Sequence, residues 1–171
     1  MIKVLALDTS THTGWAIGDG LSKPEFGTLH LRGWRPGSIG QAYVQLFDFI
    51  TKVLADNVFT HVIVERPLTV HAHAYDKGKN ADLAAALLGF VAVAECATVR
   101  MGVKFNIESP ATIRKHFIGH GRHPDPKVAV MARCRQLGWK VTDDNQADAL
   151  ATLDYALSML RARTLFDAAS K

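Results

Sequence analysis

Two short apolar runs, each ending in a carboxylate, limit the folds that this chain can adopt. Val4-Leu5-Ala6-Leu7 leads into Asp8, and Val62-Ile63-Val64 leads into Glu65. Continuous apolar runs of this length are typical of strands buried on both faces of a sheet. Between them lies an apolar stripe at helical spacing, formed by Ile39, Ala42, Tyr43, Leu46, Phe49, Ile50, Val53 and Leu54. The segment therefore predicts a β-α-β crossover.

The rest of the chain extends this unit into one α/β domain over residues 1–171, with a mixed five-stranded sheet flanked by helices. Residues 14–18 and 26–31 predict two antiparallel strands after the first, and residues 104–108 predict a fifth strand. Further helices are predicted over residues 81–99, 110–117, 126–138 and 145–161. Ser109 and Asp125 each stand before a proline, which is the usual order at a helix start.

Composition and charge indicate which partners and which cellular compartment to expect for the chain. The net charge of +4 favours an anionic partner such as a nucleic acid. We find no apolar stretch of the roughly 18 residues that a membrane span requires. The chain opens directly on a strand pattern, so we expect a cytoplasmic protein without a leader or a membrane partner. Cys96 and Cys134 are expected to be reduced, buried thiols.

A third group of acids opens the last predicted helix, in the segment Asp143-Asp144-Asn145-Gln146-Ala147-Asp148. Asp144 and Asn145 precede Asp148 by four and three residues, so either can share its helix face. Carboxylate oxygens are the hard ligands that Mg²⁺ and Mn²⁺ require. Together with Asp8 and Glu65 they predict a two-metal site acting on phosphodiesters. The alternative is that each acid caps a helix or faces solvent.

The same residues carry a family resemblance. Leu5-Ala6-Leu7-Asp8, followed by Thr13-Gly14-Trp15-Ala16-Ile17, resembles the first motif of RuvC-type Holliday junction resolvases. The strand ending at Glu65 resembles their second acidic strand, and Gln146-Ala147-Asp148-Ala149-Leu150-Ala151 resembles their last acidic helix. The resemblance implies a ribonuclease H-like fold, a homodimer, and a role in DNA recombination and repair. It also implies Mg²⁺-dependent nicking of two strands at a four-way junction, with Mn²⁺ as a substitute ion.

Site residues follow from the resemblance position by position. Asp8, Glu65 and Asp148 would be metal ligands. The fourth family position usually holds an aspartate or a histidine, and it is Asn145 here; Asp144, one residue earlier, is the other candidate for the same ligand. Lys127 stands where the family has a functional lysine, which implies contact with a phosphate or with the charge of the transition state.

DNA contacts are expected around this site. Resolvases of this type place an apolar or aromatic side chain of the loop after the second acid near the junction centre, and Leu68 and Tyr75 are the candidates here. Besides Lys127, phosphate contacts are assigned to six basic residues: Arg66, Lys77, Lys79, Arg114, Lys115 and Arg122. A surface cation in solvent is the alternative interpretation for each of them.

Small residues in the helix predicted over residues 81–99 suit a homodimer interface with close helix packing. They are Ala84, Ala85, Ala86, Gly89 and Ala92. Packing within one protomer would produce the same pattern.

Two other functions remain open from the sequence. The opening motif through Thr11 also resembles TsaB-like proteins and the wider actin-like ATPase superfamily, which would make the chain a binding protein without a carboxylate triad. A nuclease selective for forks or flaps would keep the acids and change the substrate, because a fold does not decide its substrate.

Overall fold

The computed structural model describes residues 2–33, 39–55, 58–67 and 79–169, with backbone alone at 79–81 and 168–169. Its strands are β1 (Val4–Asp8), β2 (His12–Gly18), β3 (Glu25–His30), β4 (His61–Glu65) and β5 (Lys104–Glu108). Its helices are α1 (Gly40–Ala55), α2 (Lys79–Arg100), α3 (Pro110–Ile118), α4 (Pro126–Gln136) and α5 (Asp144–Ala169). The predicted elements are all present, although β2 begins earlier and α5 ends later than expected.

The five strands form one mixed sheet in the order β3-β2-β1-β4-β5. Strands β3, β2 and β1 are antiparallel neighbours, whereas β4 and β5 run parallel to β1. The β-α-β crossover predicted from the first two apolar runs is therefore confirmed. Because β1 and β4 are parallel, their carboxyl ends lie at the same edge of the sheet.

Strand β1 contributes to a core on each face of the sheet, because successive side chains of a strand point to opposite sides. Val4 and Ala6 belong to the core formed with α3, α4 and α5. Leu5 and Leu7 belong to the core formed with α1 and α2. The uninterrupted apolar run is thus explained by burial on both faces. The predicted stripe of α1 supplies the second core through Ala42, Leu46, Ile50 and Leu54.

Polar side chains cap the first turns of α3, α4 and α5, which pack on the same face of the sheet. The Ser109 hydroxyl accepts from the amide of Thr112 at α3, and Asp125 accepts from the amide of Val128 at α4. Asp143 accepts from the amide of Gln146 at α5, at 2.9 Å. Each of these bonds satisfies an amide that the first helical turn leaves unpaired.

Helix α2 packs one side on the sheet and leaves the other exposed. Contrary to expectation, residues Asp82–Arg100 are long and apolar enough to cross a membrane by length and composition, at mean hydropathy 1.8. A third of that window is buried within the protein, around Phe90 and Ala94, so core packing accounts for part of its apolar character. The expectation for Cys96 was wrong, because its side chain is exposed; Cys134 is buried as predicted.

Part of the small-residue pattern of α2 serves packing within the protomer. A Cβ at Gly89 would lie 2.0 Å from the Tyr43 hydroxyl, so the ring occupies its present place because residue 89 has no side chain. The same hydroxyl donates to the carbonyl of Ala86 at 3.1 Å, which ties α1 to α2. Ala85 and Ala92 remain exposed.

Candidate functional site

Two of the predicted acids lie side by side because of the parallel pairing of β1 and β4. Leu7 pairs with Val64, so Asp8 and Glu65 continue their strands at the same edge of the sheet. Glu65 is buried, with 7% of its surface exposed, and Asp8 is half-buried. The alternative that Glu65 faces solvent does not hold, and its burial calls for a compensating charge.

Gly14 brings the third acid to this edge. It is the direct partner of Asp8 across β1 and β2. A Cβ at Gly14 would lie 1.9 Å from the carbonyl oxygen of Asn145, so the first turn of α5 rests on the bare backbone of β2. One turn later Asp148 is buried, with 9% of its surface exposed. The glycine of the opening motif and the acids of the last helix therefore belong to one structural unit.

Burial and neighbouring charges raise the pKa values of all three carboxylates. Burial, followed by the charge of Asp8 and then that of Asp148, raises the pKa of Glu65 to about 9. Burial, followed by the charges of Asp148 and Asp144, raises the pKa of Asp8 to about 7. The pKa of Asp148 rises to about 6, mainly through burial. Without a cation, this cluster retains protons at pH values where ordinary carboxyls have lost them.

Such a cluster fits a divalent cation in charge, burial and donor type. A hard cation prefers carboxylate oxygens, and it would relieve the repulsion that raises these pKa values. The Thr9 hydroxyl, directly after Asp8, is buried without a hydrogen-bond partner among the described residues. No three acidic, histidine or cysteine side chains of the described residues already stand in a ligating arrangement.

Arg114 of α3 lies against this cluster, so the alternative that it is a surface cation in solvent does not hold, and its assignment as a phosphate contact stays a prediction. Its side chain is only 15% exposed, and Nη2 lies 3.7 Å from Glu65 Oε1. Its charge lowers the pKa values of Glu65, Asp8 and Asp148, although burial outweighs that effect. The sequence contained a sign of this burial: Arg114 lies four residues after Pro110 and three before Phe117, so it is on the buried side of α3.

Lys127 and Asp144 form an ion pair at the open side of the site. Lys127 Nζ donates to Asp144 Oδ2, and this bond lowers the pKa of Asp144 and raises that of Lys127. The lysine side chain is 65% exposed, so its ammonium also faces solvent. Asn145 is half-buried, and its backbone lies against Gly14. Both candidates for the fourth ligand thus lie at the start of α5, where the sequence placed them.

Known structures with the same arrangement of strands and helices were found by comparison. RuvC from Thermus thermophilus matches with a TM-score of 0.69 and 21% identity, over 94% of this chain and 97% of that chain. The chain has the fold of RuvC. T. thermophilus RuvC in complex with Holliday junction substrate matches with a TM-score of 0.64 and 17% identity, over 94% and 96% of the two chains.

The yeast mitochondrial Holliday junction resolvase Ydc2 shares the RuvC-like fold with a TM-score of 0.57 and 13% identity, over 87% of this chain and 75% of that chain. No family model matches the chain, and no curated protein sequence does. At these identities the likeness is one of fold. It confirms the ribonuclease H-like α/β architecture expected from the sequence.

The remaining predicted DNA contacts of this RuvC-like chain are three exposed cations and four residues whose side chains are not described. Arg66, Lys115 and Arg122 are exposed, and the amide of Arg66 donates to the carbonyl of Glu108 at 2.7 Å. Lys79 begins α2, and only its backbone is described. Three further candidates lie outside the described residues; they are Leu68, Tyr75 and Lys77.

Proposed function

We propose that this protein is a metal-dependent endonuclease that resolves four-way DNA junctions by paired nicks. The observation that carries the proposal is the cluster of Asp8, Glu65 and Asp148, whose pKa values are raised to about 7, 9 and 6. The RuvC-like fold supports the substrate, because T. thermophilus RuvC has been determined in complex with a Holliday junction.

Within this proposal the three acids would hold two Mg²⁺ ions, with Asp144 or Asn145 completing the set. When bound, the ions would supply an activated water and stabilise the leaving oxygen of an in-line displacement. Cleavage would leave a 5′-phosphate and a 3′-hydroxyl. Mn²⁺ offers the same preference for carboxylate oxygens and is expected to substitute.

Two cations of the chain take defined parts in the proposed reaction. Arg114 lies against Glu65 and offsets part of the repulsion among the acids, which holds that carboxylate in the site. Lys127 is exposed beside Asp144, so its ammonium can bind a phosphate oxygen at the open side of the cluster. An ammonium in that place stabilises the charge that develops on the phosphate during displacement.

The proposed DNA path uses three exposed cations that lie close in sequence to residues of the site. Arg66 directly follows Glu65, Lys115 directly follows Arg114, and Arg122 precedes α4. Contacts of this kind fix the position of the backbone without reading the base sequence. Leu68 and Tyr75 remain the candidates for contact with unpaired bases at the junction centre.

We propose further that two copies act together as a homodimer through the exposed face of α2. Leu88, Ala92, Cys96 and Val99 form an apolar stripe on it, with Leu88 51% and Val99 63% exposed. Two sites related by symmetry would meet two opposed strands of a symmetric junction. Sedimentation should show a dimer that Leu88→Glu converts to monomers, with Val44→Glu on α1 as the control. A wild-type monomer with and without junction DNA would contradict the homodimer.

The test of the function is cleavage of a labelled, immobile four-way junction beside duplex, flap and fork substrates, with Mg²⁺ or with EDTA. Paired, symmetric nicks in the junction alone, only with Mg²⁺, are the expected result. Preferential cutting of flaps or forks would keep the nuclease and replace its substrate. No cutting of any substrate, with either Mg²⁺ or Mn²⁺, would refute the proposal and favour the binding-protein alternative.

A further inference from the structure

A groove of about 750 Å³ lies far from the acids, beside the carboxyl-terminal half of α5. Its walls are the connection between β2 and β3 and the connection between α4 and α5. Leu153 and Leu157 of α5 are buried and form an apolar floor. Leu165, on the same helical face, is 72% exposed, and Leu137 on the opposite wall is 40% exposed. The groove therefore leaves apolar surface open to solvent.

Two cations, Arg161 and Lys23, line the same groove. Arg161 Nη2 donates to the carbonyl oxygens of Gly20 at 2.7 Å and of Asp19 at 3.2 Å, which holds the guanidinium in place and leaves its charge unneutralised. Lys23 is exposed on the facing wall. Among the described residues, neither cation forms an ion pair with an acid.

One carboxylate lines the groove and another lies on the turn beside it, and both accept hydrogen bonds. Asp154 lines the groove but is bonded to His116 Nε2 at 2.9 Å. The Asp19 carboxylate accepts from the amides of Leu21 and Ser22 within its own turn. Two cations and one carboxylate line the groove, so it combines an apolar floor with a net positive rim.

The groove and the acid cluster lie at opposite ends of the sheet. Gly18, which lines the groove, pairs with Val4 at the start of β1, whereas Asp8 ends that strand. Along α5, Arg161 lies about 20 Å beyond Asp148 at the rise of an α-helix. A molecule in the groove would therefore leave the acids accessible.

We propose that this groove binds an acidic peptide segment of a partner protein that also carries large apolar side chains. Its carboxylates would pair with Arg161 and Lys23, in charge-assisted bonds that a guanidinium makes especially well. Its apolar side chains would cover Leu165 and Leu137 and pack beside Trp139, as anchors do at protein interfaces. A nucleic acid backbone would satisfy the two cations but would leave the leucines exposed, so it fits the groove less well.

The test measures fluorescence anisotropy of a short labelled peptide in which Asp alternates with Phe and Leu, added to the full chain. One control peptide replaces Asp with Asn, and another replaces Phe and Leu with Ser. The protein variants are Lys23→Glu and Leu165→Glu, both at exposed positions. Their matched controls are Lys52→Glu and Val44→Glu on the exposed side of α1.

We expect saturable binding of the acidic peptide, which each groove variant weakens by about tenfold, the effect of losing one good contact. The α1 controls should bind it like wild type, and both control peptides should bind much more weakly. Junction cleavage should be unchanged in both groove variants, so this test is independent of the proposed nuclease. Absence of binding, or equal binding by all variants, would overturn the proposal. Weaker junction binding by Lys23→Glu with unchanged peptide binding would assign the groove to DNA and also overturn it.

Discussion

Gly14→Ala tests how α5 is placed over the acid cluster. The added Cβ would lie 1.9 Å from the Asn145 carbonyl oxygen, whereas an ordinary contact begins at 3.4 Å. The atoms that the Cβ would meet belong to the backbone of Asn145, so no side-chain rotation can relieve the clash. The first turn of α5 must therefore move away from β2 by about 1.5 Å. Asp148 moves with that turn, while Asp8 stays on β1. A misplacement of about 1 Å costs on the order of 10²-fold in rate. Overpacking should also lower the free energy of unfolding by about 1–3 kcal/mol.

The assay is single-turnover junction cleavage at saturating Mg²⁺, with thermal unfolding measured on the same samples. Gly40→Ala is the matched control, because a Cβ there meets nothing within 4 Å. That control should cleave like wild type and be as stable or more so, since alanine favours a helix. Junction binding should survive in Gly14→Ala, because the exposed cations keep their places. Wild-type cleavage by a folded Gly14→Ala protein would refute the proposed placement of α5.

Three further predictions concern the charges of the site. Arg114→Gln should shift the acid limb of the cleavage–pH profile to higher pH, because its loss raises the pKa of Glu65; an unshifted profile would show that the arginine does not act on the acids. In EDTA the protein should lose stability as pH rises from about 5 to about 9, because the folded state holds protons on Glu65 that the unfolded state has released. Thermal unfolding of Glu65→Gln should show a weaker dependence on pH. A dependence that Glu65→Gln leaves unchanged would contradict that assignment. Lys127→Ala should slow single-turnover cleavage by about 10²-fold with little loss of junction affinity, whereas Lys52→Ala should change neither. Equal rates in the two lysine variants would contradict the role of Lys127.

The sheet and its acids could be predicted because the signals are local. Apolar runs ending in Asp8 and Glu65 mark strands buried on both faces, and the stripe between them marks the crossover helix. A parallel pair then places both carboxyls at one edge without further information. The caps Ser109 and Asp125, each followed by a proline, also depend on short-range chemistry, and both lie where they were predicted.

What escaped prediction depends on contacts between distant parts of the chain. Arg114 was assigned to a DNA phosphate, with a surface cation as the alternative, and only the packed structure shows its contact with Glu65. The role of Gly14 depends on Asn145, which no local pattern links to it. Cys96 was expected inside because its neighbours are apolar, but it lies on the exposed face of α2.

The most direct measurement of the central claim compares Asp8→Asn with wild type on one labelled four-way junction, recording both binding and cleavage with Mg²⁺ and with EDTA. Asp48→Asn, an exposed acid on α1, is the matched control. The proposed site predicts paired nicks by wild type and by the control only with Mg²⁺. It predicts that Asp8→Asn binds the junction and leaves it uncut. Cleavage by Asp8→Asn at the wild-type rate would contradict the proposal that these acids form the catalytic site.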